Sequence, residues 1–181
     1  ARLTDALANV GGSEGVRWAD PGELTEGADN RARRAAKHIP AGSSVMDLGA
    51  GAMRLRAALS QDCKYLPVDL VRFANAGEIL DLNQGQFPER AVDVVAALEL
   101  AQYIHDVPAL LRRCAAAAPS LILSYPLAVA DEDMAARREQ GWFNDFDASE
   151  LSDMLEKTGW KIESREPAER AEMLVCRRNS A

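Results

Sequence analysis

Four acidic residues, Asp47, Asp69, Asp81 and Glu99, are spaced as acids would be at the ends of four successive strands. The first opens Asp47-Leu48-Gly49-Ala50-Gly51, where two glycines let a backbone approach a ligand closely. N–H groups at a helix start just beyond could hold an anion such as a carboxylate. Asp69, twenty residues past Gly49, can accept both hydroxyls of a ribose, with Leu70 beside it. Asp81-Leu82-Asn83 can meet the polar edge of an adenine. Asp47, Gly49, Ala50, Gly51, Asp69, Leu70, Asp81, Leu82 and Glu99 therefore describe a pocket for an adenosine carrying an anionic tail. Each piece alone has a plainer reading as a turn or a solvated strand end. Their joint spacing is what favours a site.

A second group follows the fourth acid. Tyr103, His105 and Tyr125 lie near the ends of the fourth and fifth strand-like runs. His105, if it faced the pocket, could take a proton from a hydroxyl or an amine, and Tyr103 could assist it. The competing reading is an exposed histidine before a helix cap. Residues 137–144, Arg-Arg-Glu-Gln-Gly-Trp-Phe-Asn, are too rich in chemistry for an ordinary connector. Tyr125, Arg137, Arg138, Trp142 and Asn144 are the candidates for an acceptor-facing wall, the arginines favouring a carboxylate or phosphate. Alternatively, Trp142 and Phe143 plug the core and the arginines are solvated.

These residues need a scaffold of alternating helices and strands. Ser44–Leu48 reads as a strand entering a glycine bend, followed by a helix from about Ala52 to Ser60. Tyr65–Asp69 is a second strand expected to end near Pro67, since proline cannot donate to a ladder. Ile79–Asp81 is a brief third strand, and Ala91–Leu98 a fourth with the apolar run of a strand covered on both faces. Asp106 is an N-cap with Pro108 in the first turn, and Ser120–Tyr125 is a fifth strand. Asp147 and Glu150 form a capping-box start, and Gly159 sits at the helix end. Trp160–Glu163 and Ala171–Cys176 then pair as an antiparallel hairpin. The connections on either side of strand three are too short for full crossover helices. The fold class is α/β: a single Rossmann-like domain with a mostly parallel seven-stranded sheet and a C-terminal antiparallel hairpin. Residues 1–29, interrupted by Gly11, Gly12, Gly15, Pro21, Gly22 and Gly27, are expected to form an arm or lid before a domain spanning 30–181.

The bulk properties restrict the function. The 181 residues suit one domain, and a net charge of −7 repels a phosphate backbone, so nucleic acid is an unfavoured partner. Arg31, Arg33, Arg34 and Lys37 are expected on the solvated face of a helix whose buried stripe is Ala32, Ala35, Ala36 and Ile39. Cys63, Cys114 and Cys176 have no metal-ligand spacing, so neither a metal site nor a disulfide framework is expected. Free thiols and the lack of a bilayer-length apolar run suggest a cytoplasmic protein without a membrane partner.

Residues 30–178 resemble the class I S-adenosylmethionine-dependent methyltransferases. The resemblance rests on Val45-Met46-Asp47-Leu48-Gly49-Ala50-Gly51, Val68-Asp69-Leu70, Val92-Asp93-Val94-Val95 leading to Leu98-Glu99, and Thr158-Gly159-Trp160. It implies S-adenosylmethionine as cofactor. It also implies a methionine-side role for Gly49 and Gly51, a ribose role for Asp69 and an adenine role for Asp81 and Leu82. The family's third glycine is replaced here by Met53. A nicotinamide-dependent oxidoreductase would need glycine where Arg54 stands. An accessory domain that binds the cofactor without catalysis is the other alternative, because methyl transfer asks mainly for alignment and leaves little catalytic signature. The acceptor expected is a small or medium-sized molecule, with anionic and sugar-like compounds among the candidates.

Overall fold

The computed structural model describes residues 12–13, 27–71, 77–129, 132–168 and 171–179. In chain order these hold α1 (Ala28–Ala36), β1 (Ser44–Leu48), α2 (Arg54–Ala58), β2 (Lys64–Asp69), β3 (Glu78–Ile79), β4 (Val94–Leu98), α3 (Val107–Ala117), β5 (Ser120–Tyr125), α4 (Met134–Glu139), α5 (Ala148–Lys157), β6 (Trp160–Ala168) and β7 (Ala171–Arg178). Short 3₁₀ turns at Leu82–Gln84 and Ala101–Tyr103 follow β3 and β4. The expected arm at 1–29 lies outside the described residues except for Gly12, Ser13 and the start of α1.

The strands form one sheet in the order β3-β2-β1-β4-β5-β7-β6. All neighbours are parallel until β7, which pairs antiparallel with both β5 and β6. The order turns back between β1 and β4, so a crevice opens beyond the carboxyl ends of those two strands. Strand period 2 divides the core. Val94 and Ala96 face Ala32, Ala35 and Leu55 of α1 and α2, whereas Val95 and Ala97 face Leu110, Leu111 and Cys114 of α3 and Leu151 and Leu155 of α5. Trp160 closes the second layer, and its Nε1 donates to the Leu111 carbonyl at 3.0 Å.

The helix starts follow their caps. Asp106 accepts from Ala109 N at 2.8 Å, and Asp147 and Glu150 make the reciprocal capping box, each cap contributing about 1 kcal/mol. Several boundaries move, β3 among them, which covers Glu78–Ile79 rather than Ile79–Asp81. α2 starts late because Met53 takes φ 54° at its N-cap, the left-handed conformation for which the family pattern supplies glycine. β4 starts at Val94 because Asp93 is engaged by Ser44, whose N and Oγ donate to its carboxylate at 2.7 and 2.6 Å.

β2 runs straight through Pro67, contrary to the expected stop, to pair Val68 with Leu48. The carbonyl of Val68 accepts from Gly49 on the β1 side, so the main-chain groups of Pro67 face the other way, toward β3. β3 pairs only from Val68 onward, and the missing N–H of Pro67 therefore breaks no ladder bond. Gly77 completes the fit: with φ 130° it passes so close to Pro67 that an added Cβ would lie 2.8 Å from the Pro67 carbonyl oxygen. β3 is only two residues long. The hairpin is longer than its apolar runs, since Glu163–Ala168 stays in strand and carries the ion pair Arg165–Glu172 at 2.9 Å.

Candidate functional site

The crevice beyond β1 and β4 holds a cavity of about 210 Å³. Asp47, Gly49, Ala50 and Gly51 border it after β1, Asp69 and Leu70 after β2, Asp81 and Leu82 after β3, and Glu99 and Tyr103 after β4. Every residue assigned to the cofactor from sequence thus lines one cavity. α1 adds Ala28, Arg31 and Ala32, and the loop after α4 adds Gly141 and Phe143.

Local geometry explains the residue types. Gly49 has φ 71°, and a Cβ there would approach Leu100 Cδ1 to 3.1 Å. The N–H groups of Gly49, Ala50 and Gly51 are engaged by the protein itself. Gly49 N and Ala50 N donate to the Val68 carbonyl, and Gly51 N donates to Asp69 Oδ2 at 2.7 Å. Asp69 therefore links the two loops, while its Oδ1 accepts from Val71 N.

Asp47 is buried at the floor. Burial pushes its carboxyl up to about 7, opposed by a hydrogen bond from the Tyr65 hydroxyl and reinforced by the neighbouring charge of Asp69. The same burial and the Asp47 charge push the Tyr65 phenol up. Glu99 has φ 52°, a left-handed backbone that non-glycine residues adopt at a cost of the order of 1 kcal/mol or more. Its N donates to Ser124 O and Oγ, and its Oε1 lies 2.8 Å from Arg31 Nη1.

Arg31 was expected on a solvated face and is instead buried, 7% exposed, with its guanidinium at the cleft. Its place four residues before Ala35 and one before Ala32 puts it at the edge of the apolar stripe, and that spacing was the available signal. Arg33 and Lys37 are exposed as expected, and Arg34 reaches the Pro167 carbonyl.

The other candidates divide. Tyr103 lines the cavity, with Trp142 Nε1 donating to its hydroxyl at 3.0 Å. His105 does not line it: its Nε2 sits 2.9 Å from the Gly12 carbonyl, and its ring stacks on Phe143 with centroids 4.0 Å apart. Tyr125, Arg137, Arg138, Trp142 and Asn144 also lie off the cavity wall. Arg137, 2% exposed, binds Asp145, Glu132 and the Pro126 carbonyl and packs 4.6 Å from the Trp142 ring. Arg138 pairs with the same Asp145 and with the Trp142 carbonyl. Burial works against the Asp145 charge, yet the two arginines hold it below the usual carboxylate range. The Tyr125 hydroxyl donates to Asn144 Oδ1, and Asn144 Nδ2 donates to the Ala101 and Ile104 carbonyls. These five residues form a clasp that fixes the Gly141–Phe143 loop, and the expected arginine contact with an acceptor is not made from this position.

Two contributors were not among the candidates, and only Ser13 carried no sequence signal. Ser13 Oγ donates to Asp81 Oδ1 at 2.7 Å and accepts from Asn83 Nδ2 at 2.9 Å, laying the 12–13 segment against the end of β3. Phe143, read as one of two aromatics, is the one that faces the cavity.

Among the described residues no group of histidine, cysteine, aspartate or glutamate could hold a metal ion, and no helix is long and apolar enough to cross a membrane. No curated protein matches the chain by sequence. Solved structures do. The chain is similar to the mitomycin 7-O-methyltransferase MmcR, at 21% identity and TM-score 0.63 over 83% of this chain and 54% of that one. The 1,6-didemethyltoxoflavin-N1-methyltransferase of Burkholderia thailandensis, bound to 1,6-didemethyltoxoflavin and S-adenosylhomocysteine, is 17% identical with TM-score 0.69, over 90% of this chain and 81% of that one. The magnesium protoporphyrin IX methyltransferase of Synechocystis, with bound S-adenosylhomocysteine, is 17% identical with TM-score 0.64, over 84% of each chain. At these identities the likeness is one of fold, and this chain spans about half the length of the mitomycin enzyme. The family described as "Methyltransferase domain" matches residues 22–165. The chain belongs to this methyltransferase-domain family, the S-adenosylmethionine-dependent class I group that its motifs resemble.

Proposed function

We propose that this chain binds S-adenosylmethionine in the cleft beyond β1 and β4 and passes its methyl group to a small or medium-sized acceptor by in-line displacement. The observation that carries this reading is the convergence of Gly49–Gly51, Asp69, Asp81–Leu82 and Glu99 on one cavity at the point where strand order reverses. The donor set fits the group. Asp69 suits a ribose diol, Leu70, Leu80 and Leu82 suit an adenine, and the acids Asp47 and Glu99 suit a cationic centre. Arg31, a buried cation at the same wall, suits the carboxylate. Bound there, the cofactor supplies an activated methyl on sulfur; the protein's part is to bind, align and exclude water. That two fold neighbours are complexes with S-adenosylhomocysteine supports the reading.

The segment carrying Gly12 and Ser13 serves as a cover for the adenosine end, which fits its bonds to Asp81, Asn83 and His105. Three buried thiols fit a reducing, cytoplasmic setting. S-adenosylhomocysteine at millimolar concentration is expected to raise the melting temperature through mass action on the folded state. Asp69→Ala is expected to weaken that binding. No shift at millimolar ligand would overturn the assignment.

A further inference from the structure

We infer that the acceptor is a flat, uncharged aromatic compound carrying a hydroxyl or an amine, and that the Phe143 ring selects it. The inference rests on the proposed methyl transfer and concerns the half of the cleft which that reading leaves unassigned.

The adenosine-side residues stand at the ends of β1, β2 and β3. Past Glu99, the turn after β4 and the loop after α4 contribute Leu100, Tyr103, Ile104, Gly141 and Phe143 to the wall. All are apolar or aromatic, and none carries a charge. Phe143 is not a soft element of this wall. His105 stacks on it at 4.0 Å with 29° between the planes, and its N donates to the Gln102 carbonyl at 2.7 Å. Arg137 and Arg138 fasten the same loop through Asp145, and Trp142 joins it to Tyr103. Gly141, in a left-handed conformation beside it, adds no side chain to the wall. A ring held rigidly at a cavity wall favours a flat partner, because no rotamer freedom is lost on stacking.

Charge excludes the anions. Arg137 and Arg138 are turned into the clasp, and the two cations that do line the cavity come from α1 and α2 and are paired, Arg31 with Glu99 and Arg54 with Asp29. A carboxylate or phosphate placed against Phe143 and Leu100 would be desolvated against carbon, and the cations that line the cavity already face acids. A sugar would bury hydroxyls against carbon. In the transfer, a lone pair on the acceptor oxygen or nitrogen forms the new bond to the methyl carbon. The carbon–sulfur bond breaks with its pair returning to sulfur, and the acceptor's proton leaves to water.

The test is calorimetric titration of the full chain saturated with S-adenosylhomocysteine, using 2-naphthol, 2-naphthoate and glucose 6-phosphate as probes. 2-Naphthol is expected to bind about tenfold or more tightly than either anion. Phe143→Ala is expected to weaken 2-naphthol about tenfold while the affinity for S-adenosylhomocysteine stays unchanged. Phe143→Leu keeps apolar bulk without the ring, and is expected to lose most of the same affinity. Equal or tighter binding of 2-naphthoate, no binding of 2-naphthol, or indifference to both substitutions would overturn the inference. Failure of S-adenosylhomocysteine itself to bind would instead overturn the methyl-transfer reading.

Discussion

Arg31 Nη1 lies 2.8 Å from Glu99 Oε1, so the first helix is tied to the end of β4 at the cleft wall. Both side chains are largely buried, 8% and 18% exposed, which makes loss of one partner costlier than loss of both. Arg31→Met should destabilise the fold by about 3 kcal/mol in denaturant titration, because Glu99 keeps its charge without its partner. The double variant Arg31→Met with Glu99→Gln should recover most of that stability. It should not recover binding of S-adenosylhomocysteine, expected to fall about tenfold or more in both variants from the lost charge-assisted bond to the carboxylate. Unchanged affinity in the double variant would leave Arg31 a purely structural role.

Asp47 makes stability depend on pH with a definite sign. Burial raises its carboxyl from 3.8 in the unfolded chain to about 7 in the fold, against the opposing Tyr65 bond. Between those values the folded state holds more protons than the unfolded one, so stability falls as pH rises through that window and levels off above it. Melting temperatures measured from about pH 4 to about pH 8 should show this decline, and Asp47→Asn should flatten it. A cation bound beside Asp47 favours its ionised form, so affinity for S-adenosylmethionine should rise over the upper part of the same range. An identical slope in the wild type and Asp47→Asn would mean that another group carries the effect.

The parts of the fold visible in the sequence are those governed by local rules. The strand β5 matched its apolar run residue for residue, and the caps at Asp106 and Asp147 appeared where their side chains predict. The cavity wall at the strand ends was legible for a related reason: in a parallel sheet the crevice opens beyond the carboxyl ends of the strands, and strand ends can be read from sequence. What failed depends on partners distant in the chain. Pro67 fits β2 only because β3 begins one residue later, and Arg31 is buried only because Glu99 meets it. Arg137 and Arg138 read as exposed chemistry, yet Asp145 draws them inward. Residue type alone does not say whether an arginine faces a ligand or holds the loop that does.

Gly77 tests the close fit between β2 and β3. A Cβ at this position would stand 2.8 Å from the Pro67 carbonyl oxygen and 3.0 Å from its Cγ, neither of which can swing aside as a flexible side-chain end could. Its φ of 130° adds backbone strain for any L residue. Gly77→Ala should therefore lower stability by about 2 kcal/mol or more, read from the midpoint of urea unfolding. The affinity for S-adenosylhomocysteine should fall with it, since Leu80, Asp81 and Leu82 follow directly from β3. A neutral Gly77→Ala would show that β3 can move away from Pro67 without loss.

His105 separates catalysis from positioning. Its Nε2 meets the Gly12 carbonyl, its ring covers Phe143, and its main-chain N donates to Asn83 Oδ1 at 2.9 Å, so it binds together the 12–13 segment, the post-β4 turn and the aromatic wall. A general base contributes roughly a hundredfold or more, and its loss removes the corresponding limb from the pH–rate profile. A positioning residue does neither. With 2-naphthol as acceptor, His105→Gln, whose amide can still donate to Gly12, should lower kcat by less than about tenfold and leave the shape of the profile intact. KM should rise more than kcat falls, because the lost stacking loosens Phe143 rather than the methyl donor. A drop of a hundredfold or more together with loss of the neutral-pH limb would return His105 to the role of base.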